Sequence, residues 1–293
     1  MVSGNPVILR RPRNGRLEGR DQGAMTALVS LPMYNLPEMQ EANARFWRAL
    51  RGLLLEAGLG DVPEKLVFER GPVPARLEAD LLFSQTCGYP LETVFKGQAI
   101  RLGAPIYGAP GCDGPTHRAY FLVHVDSPAR SLADLKGGVF LLNSPVSNSG
   151  MNLPRRALAE IAGSKPFFRQ VIETGGHPAS LDRLLSSEGD VASIDCVTYA
   201  FWRHYRPEAA SRVRVLAETP VSPSIPFVTS VATPPAIVAT LRTALQAVAT
   251  EPCFAAARAG LMITGIADVP GAAYEGLLDY AKEAATLGYP ELV

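Results

Sequence analysis

The sequence predicts an α/β protein built as two Rossmann-like lobes joined by two crossings, with a ligand cleft between them. Three observations carry this reading. From Thr26 onward short apolar runs alternate with helical patterns, as in proteins with largely parallel sheets. The alternation breaks at a glycine-rich loop, Gly108 to Gly114, and restarts at Tyr120. It breaks again at Pro220, Pro223 and Pro226, whose close spacing marks an extended connection. One lobe is therefore expected to take residues 25–115 and 219–293, and the other residues 116–218. The tail after Glu218 offers one more strand and several helices, too little for a third domain, and is expected to return to the first lobe.

The elements follow in order. Ala27 to Leu31 is an apolar strand. Asn35 and Glu38 make a capping box for a helix that places Leu36, Met39, Phe46, Leu50, Leu53 and Leu54 on one face and stops at Gly58. Leu66 to Phe68 and Leu81 to Phe83 are short strands, Pro90 to Phe95 a short helix, and Ile100 to Tyr107 a strand. After the glycine loop come strands Tyr120–Val125 and Val139–Leu142, then a helix over Met151–Ala162. Strand Gln170–Glu173 precedes helix Pro178–Ser187. Strand Val191–Ile194 precedes helix Cys196–Tyr205, and strand Val213–Ala217 follows. Ile237, Leu241, Ala244, Leu245 and Val248 form a helical face, and a last helix runs from Ala272 to Leu287 with Gly288 as its cap.

Composition narrows the function. Almost half of the 293 residues are apolar and the formal net charge is zero. No basic block is interleaved with aromatics, which argues against nucleic acid as a partner, and no apolar run is long enough to cross a bilayer. Met1 to Ala24 is rich in Arg, Gly and Asn, with only Val7-Ile8-Leu9 as an apolar cluster. It reads as a disordered leader of residues 1–24, or as an upstream start with Met25 as the true first residue. As written the chain is expected to be cytoplasmic. None of its four cysteines has C-x-x-C or zinc-ligand spacing, and no cofactor or metal is expected. Cys87 and Cys112 lie in glycine-flanked loops and are the expected pair if the chain matures in an oxidising compartment.

The most informative stretch is Leu141-Leu142-Asn143-Ser144-Pro145-Val146-Ser147-Asn148-Ser149-Gly150-Met151-Asn152-Leu153-Pro154. A strand ends in hydroxyls, amides and a glycine, and Pro154 fits the first turn of the helix beyond. Hydroxyls and backbone N–H groups at a helix N-terminus form a seat for an oxyanion, and Gly150 would let the backbone approach it. The plainer reading is an ordinary helix cap.

Other strand ends are also polar. Pro32-Met33-Tyr34-Asn35, Ser84-Gln85-Thr86-Cys87-Gly88-Tyr89-Pro90, Thr174-Gly175-Gly176-His177-Pro178 and Asp195 each follow a strand. In open α/β sheets such ends collect ligands. Candidate ligand-binding residues are Tyr34, Ser84, Thr86, Tyr89, Arg118, Ser147, Asn148, Ser149, Gly150, His177 and Asp195. His177 is a poor cap and reads as a ligand-facing donor or a structural residue. Asp195 is a good cap, and would face an anion only if the ligand carries a proton. Tyr34 and Tyr89 wall a pocket or simply pack, and Arg118 pairs with an anion or stays solvated. His117, His124 and His204 read as structural.

As a set these residues resemble the family of phosphate, phosphite and phosphonate substrate-binding proteins of ATP-driven importers. The matching text is Ser30-Leu31-Pro32-Met33-Tyr34, Ser84-Gln85-Thr86-Cys87-Gly88-Tyr89-Pro90, Ser147-Asn148-Ser149-Gly150, Thr174-Gly175-Gly176-His177 and Ile194-Asp195-Cys196-Val197-Thr198. The resemblance implies the type II periplasmic binding protein fold, hinge closure around a small oxyanion, an importer permease as partner and a periplasmic location. It implies that Ser147 to Gly150 grip the phosphorus oxygens, with His177 beside them and Tyr34 reaching from the facing lobe. The chain departs from aminoalkylphosphonate binders at Pro223-Ser224-Ile225-Pro226, where no acid precedes the proline of the returning crossing. The expectation is a non-enzymatic, monomeric binding protein. The alternatives are a cytosolic sensor using the same cleft, or an enzyme of cofactor-precursor metabolism with Cys87 or Cys196 and His177 as its reactive pair.

Overall fold

The computed structural model describes residues 27–71, 73–74, 76–163 and 166–293. The leader, Met1–Ala24, and the alternative start at Met25 lie outside these. The chain opens with β1 (Leu28–Val29), and a 3₁₀ turn at Pro37–Met39 runs into α1 (Gln40–Glu56). Then come β2 (Leu81–Gln85), α2 (Gly88–Glu92), β3 (Ala99–Tyr107), β4 (Thr116–His117), β5 (Ala119–His124) and β6 (Val139–Leu142). A wide helical turn at Asn148–Asn152 leads into α3 (Leu153–Ala162), followed by β7 (Gln170–Glu173), α4 (His177–Leu185), β8 (Val191–Asp195), α5 (Cys196–Tyr205) and α6 (Pro207–Ala210). The remainder is β9 (Val213–Glu218), β10 (Ser222–Pro223), β11 (Phe227–Ser230), α7 (Pro235–Thr250), α8 (Ala255–Ala259), β12 (Ile263–Ala267), α9 (Gly271–Glu275) and α10 (Leu277–Thr286).

Two five-stranded sheets result, ordered β1-β2-β11-β3-β12 and β7-β6-β8-β5-β9. Both are mixed rather than largely parallel. β11 runs antiparallel between β2 and β3, and β5 runs antiparallel between β8 and β9. The reversal arises where the chain passes between the sheets. Two of these connections lie side by side as a ribbon, with Ser222 opposite His117 and Pro223 opposite Thr116. A strand entering from this ribbon runs against its neighbours.

Apolar alternation explains the burial. In the second sheet Leu122, Leu141, Ala192 and Ile194 join one core, while Phe121, Val123, Phe140, Leu142 and Val191 join the core on the other face. Strands buried on both faces read as continuous apolar runs, which is how they appear in the sequence. In the first sheet α1 buries Phe46, Trp47, Leu50 and Leu54. Phe46 stacks on Phe227 at 5.6 Å, Phe227 meets Phe83 at 5.1 Å, and Phe83 stacks on Trp47 at 5.7 Å.

Several local expectations change. Asn35 and Glu38 form no capping box: Asn35 Nδ2 donates to Phe68 O, and Pro37 begins the helix after Leu36 instead. Leu66–Phe68 is not a strand, because two-residue β1 offers it one bond, Val67 N–H to Val29 O. The tail brings both β11 and β12 into the first sheet. The last helix divides at Gly276, and its second part does not stay with the first sheet. α10 packs on α3, and Ala284, Tyr289 and Leu292 enter the second sheet's core. The terminus follows, with Phe167 N–H donating to Val293 O at 2.7 Å.

The aromatic row makes Phe227 the contact through which helix and sheet share one core. Phe227→Ala should destabilise the protein by about 3–5 kcal/mol, read from chemical denaturation. A cost below about 1 kcal/mol would mean the row is not packed as described.

Candidate functional site

A cavity of about 510 Å³ opens between the sheets. Its floor is the turn before α3. Ser147 stands at the cap, and its Oγ accepts from Gly150 N–H at 3.0 Å and from Asn143 Nδ2 at 3.1 Å. The bonds then skip five residues, from Asn152 N–H to Ser147 O and from Leu153 N–H to Asn148 O. This widened turn keeps Ser147 and Ser149 on the cavity wall. Ser149 Oγ lies 2.9 Å from His177 Nε2, and its carbonyl accepts from Ser193 Oγ at 2.6 Å. Both serines are thus fixed by their neighbours.

Gly150 is needed for a reason different from the one expected. A Cβ there would lie 1.8 Å from Asn143 Oδ1. The glycine makes room for the Asn143 amide, and its own N–H is already bound to Ser147. Gly150 is not on the cavity wall.

His177 opens α4, after an extended Gly176 and before Pro178. It is partly buried on the cavity wall, and burial pulls its pKa down to about 4, so the ring is neutral near pH 7. Its Nδ1 has no hydrogen-bond partner among the described residues. Tyr34 approaches from the first sheet, edge-on to Tyr107 at 5.3 Å and tilted against Phe201 at 6.0 Å. Its buried hydroxyl also has no partner, and burial, with the Asp195 charge second, raises its pKa well above the usual value. Tyr34, Ser147, Ser149 and His177 are therefore brought together on one cavity.

The other expected residues lie elsewhere. Asp195 is a cap: its Oδ1 accepts from Val197 and Thr198 N–H, both at 2.9 Å, and its Oδ2 lies 2.6 Å from His117 Nδ1. Burial disfavours both charges, but each outweighs it for the other, so the His117 pKa is raised and that of Asp195 lowered. Asn148 gives its Nδ2 to Ser222 Oγ of the ribbon at 2.7 Å, and its Oδ1 accepts from Asn152. Arg118 pairs with Glu218 on the surface. Ser84 is buried against Ser30 Oγ at 3.0 Å. Thr86 is buried with its N–H toward Pro226 O, and Tyr89 packs on the second sheet's core. None of these seven, Gly150 included, lines the cavity.

Residues that sequence reasoning missed complete the wall. Asn143 carried a signal, because it ends the apolar run before the serine loop. Arg70 carried none. It sits in a proline- and glycine-rich loop, holds Glu78 through two bonds at 3.0 and 2.9 Å, and lines the cavity. Away from the wall, Glu38 and Arg206 pair at 2.9 Å. They tie the 3₁₀ turn of the first lobe to the segment after α5.

The cysteines are arranged differently from expectation. Cys112 Sγ lies 3.6 Å from Cys196 Sγ, and Cys87 is not its neighbour but lines the cavity. Both buried thiols are kept protonated. Burial raises Cys87 to about 11 although the N–H groups of Asn148, Tyr89 and Ser149 oppose it. The hydrogen bond with Cys112, then burial, raise Cys196.

The family profile described as "ABC transporter, phosphonate, periplasmic substrate-binding protein" matches residues 82–274. Among curated proteins none matches the chain in sequence. Solved structures share its fold. PhnD1 from Prochlorococcus marinus, in complex with methylphosphonate, is 13% identical, with a TM-score of 0.66 over 89% of this chain and 98% of its own. A binding protein component of an ABC phosphonate transporter (PA3383) from Pseudomonas aeruginosa is 14% identical, with a TM-score of 0.64 over 89% and 97%. XAC2383 from Xanthomonas citri, bound to chloride, is 17% identical, with a TM-score of 0.65 over 89% and 98%. The fold is the two-lobed type II periplasmic binding protein fold. Among the described residues no helix is long and apolar enough to cross a membrane.

Two measurements check this geometry. In the unfolded chain His177 takes up its proton near pH 6.5, and in the folded chain only near 4. Between these values the unfolded state binds more protons, so stability falls as pH drops through that window. Thermal melts of His177→Gln should lose less stability than the parent between pH 6.5 and 4.5. Equal losses would mean the ring is not held neutral. Secondly, mild oxidation with diamide should join Cys112 to Cys196. A Cys87–Cys112 peptide in the digest would contradict the observed placement.

Proposed function

This chain belongs to the family of phosphonate substrate-binding proteins of ABC transporters, and on that premise we propose that it captures a small phosphorus oxyanion on the Ser147–Ser149 turn. The observation that supports the reading most is the convergence of two serine hydroxyls, a neutral imidazole and an unpartnered tyrosine hydroxyl on one cavity. An anion removed from water needs its lone pairs met, and neutral donors already held in place do this without repelling or trapping the ligand. Ser147, Ser149 and His177 are assigned to the oxyanion from the second lobe, and Tyr34 from the first. Phosphate, phosphite and simple phosphonates share the required oxygens.

Closure is assigned to the ribbon of β4 and β10, where two connections between the sheets run side by side. The Glu38–Arg206 pair would steady the closed form. It is a third exposed on each side, so its contribution is put at about 0.2–1 kcal/mol. An importer permease that recognises the closed form is the partner the family implies. Catalysis is not part of the proposal, because the thiols that a nucleophilic mechanism would use are held protonated, Cys87 by burial and Cys196 by its hydrogen bond with Cys112 and then burial.

Ser149→Ala removes one hydrogen bond to a charged ligand. It should weaken methylphosphonate binding by about 1.5–3 kcal/mol, roughly ten- to a hundredfold, with little change in melting temperature. Calorimetric titration checks this. Unchanged affinity with a lowered melting temperature would mean that Ser149 serves only the turn.

A further inference from the structure

The cavity is much larger than the group its floor can grip. About 510 Å³ falls within the roughly 300–1,000 Å³ range of sites for organic ligands of many atoms. An inorganic phosphate or a methylphosphonate has only a handful of heavy atoms. Ser147, Ser149 and His177 supply hydrogen-bonding groups on one part of the wall. The same wall also includes the apolar side chains of Met33, Leu36, Met39, Phe68, Val73 and Phe201. These come from the segment before α1, the loop before β2 and the inner face of α5, so both lobes contribute.

Among the described residues this wall carries two fully charged side chains, Glu69 and Arg70, and Arg70 is already paired. Arg70 is bound to Glu78 by both carboxylate oxygens. Asp195 is turned away into its helix cap and His117. Glu69 is the one carboxylate on the wall among the described residues, and it is exposed rather than enclosed. An ammonium group carried into the apolar part would lose its water without meeting a buried counter-charge. An uncharged apolar group would instead remove both its own surface and the wall's from water.

We propose that the ligand is a phosphorus oxyanion bearing an uncharged apolar substituent about the size of an aromatic ring, lodged against Phe68, Met39 and Phe201. This rests on the oxyanion assignment above and adds the class of substituent. The substituent, not the anion, then sets which member of the class is taken up. The oxygens are held by a floor that any phosphonate could use, whereas the apolar wall distinguishes among them.

The test is calorimetric titration of the full chain with four probes: inorganic phosphate, methylphosphonate, 2-aminoethylphosphonate and phenylphosphonate. Phenylphosphonate should bind tightest, by about tenfold or more over methylphosphonate. Phe68→Ala, in a half-buried loop position, should cut that preference at least about threefold. Methylphosphonate or phosphate binding as tightly as phenylphosphonate overturns the inference but leaves the oxyanion floor standing. Preference for 2-aminoethylphosphonate also overturns it, and would assign Glu69 to the amine. A phenyl preference that Phe68→Ala leaves unchanged overturns the placement of the substituent. Binding of none of the four overturns the oxyanion assignment itself, and the inference with it.

Discussion

Asp195 is buried at the end of β8, where one oxygen accepts from the first N–H groups of α5 and the other meets His117. His117 lies on β4, in the ribbon between the sheets. This carboxylate therefore fixes three things together: the end of a central strand, the start of the helix carrying Thr198 and Phe201, and one strand of the ribbon. Removing either partner would leave a buried charge without its opposite, which is far costlier than losing an exposed pair. The pair has opposite pH limits. The share that depends on the raised His117 pKa is full below about pH 6.5 and is lost as pH rises through it. The share that depends on the lowered Asp195 pKa is lost as pH falls through it.

With Asp195 and Arg70 both engaged, the proposed binding mode relies largely on neutral donors. His177 is kept uncharged by burial, and Ser147 and Ser149 are positioned by backbone and side-chain bonds. In the proposed mode such a floor would bind oxygen by geometry more than by net charge, and would accept an anion without blocking its release. The ribbon of β4 and β10 is the proposed hinge, and α10, which packs from the tail onto α3, adds a further tie between the lobes.

Much of this was legible in the sequence because the strands of the second sheet are apolar on both faces and the helices carry one apolar stripe. Cys196–Tyr205 and Gln170–Glu173 match expectation residue for residue. Four cavity residues, Tyr34, Ser147, Ser149 and His177, were also readable as polar groups following strands. What was not readable depended on partners distant in sequence. Asn148 turns to Ser222, Asp195 to His117, and Cys112 to Cys196, and no local pattern announces such contacts. Gly150 is a clear case. Its presence suggested a close backbone approach to a ligand, but the close neighbour is the Asn143 side chain. Arg70 sits in a loop with neither periodicity nor motif, so only folding brings it to the wall.

The account turns on where the phosphorus sits. The most direct measurement is a crystal structure of the protein with methylphosphonate bound. The account predicts phosphonate oxygens within about 2.6–3.2 Å of Ser147 or Ser149 Oγ, the His177 ring and the Tyr34 hydroxyl, with the methyl group facing Phe68 and Phe201. A phosphonate held instead by Arg70, with the serine turn bound only to itself, would contradict it.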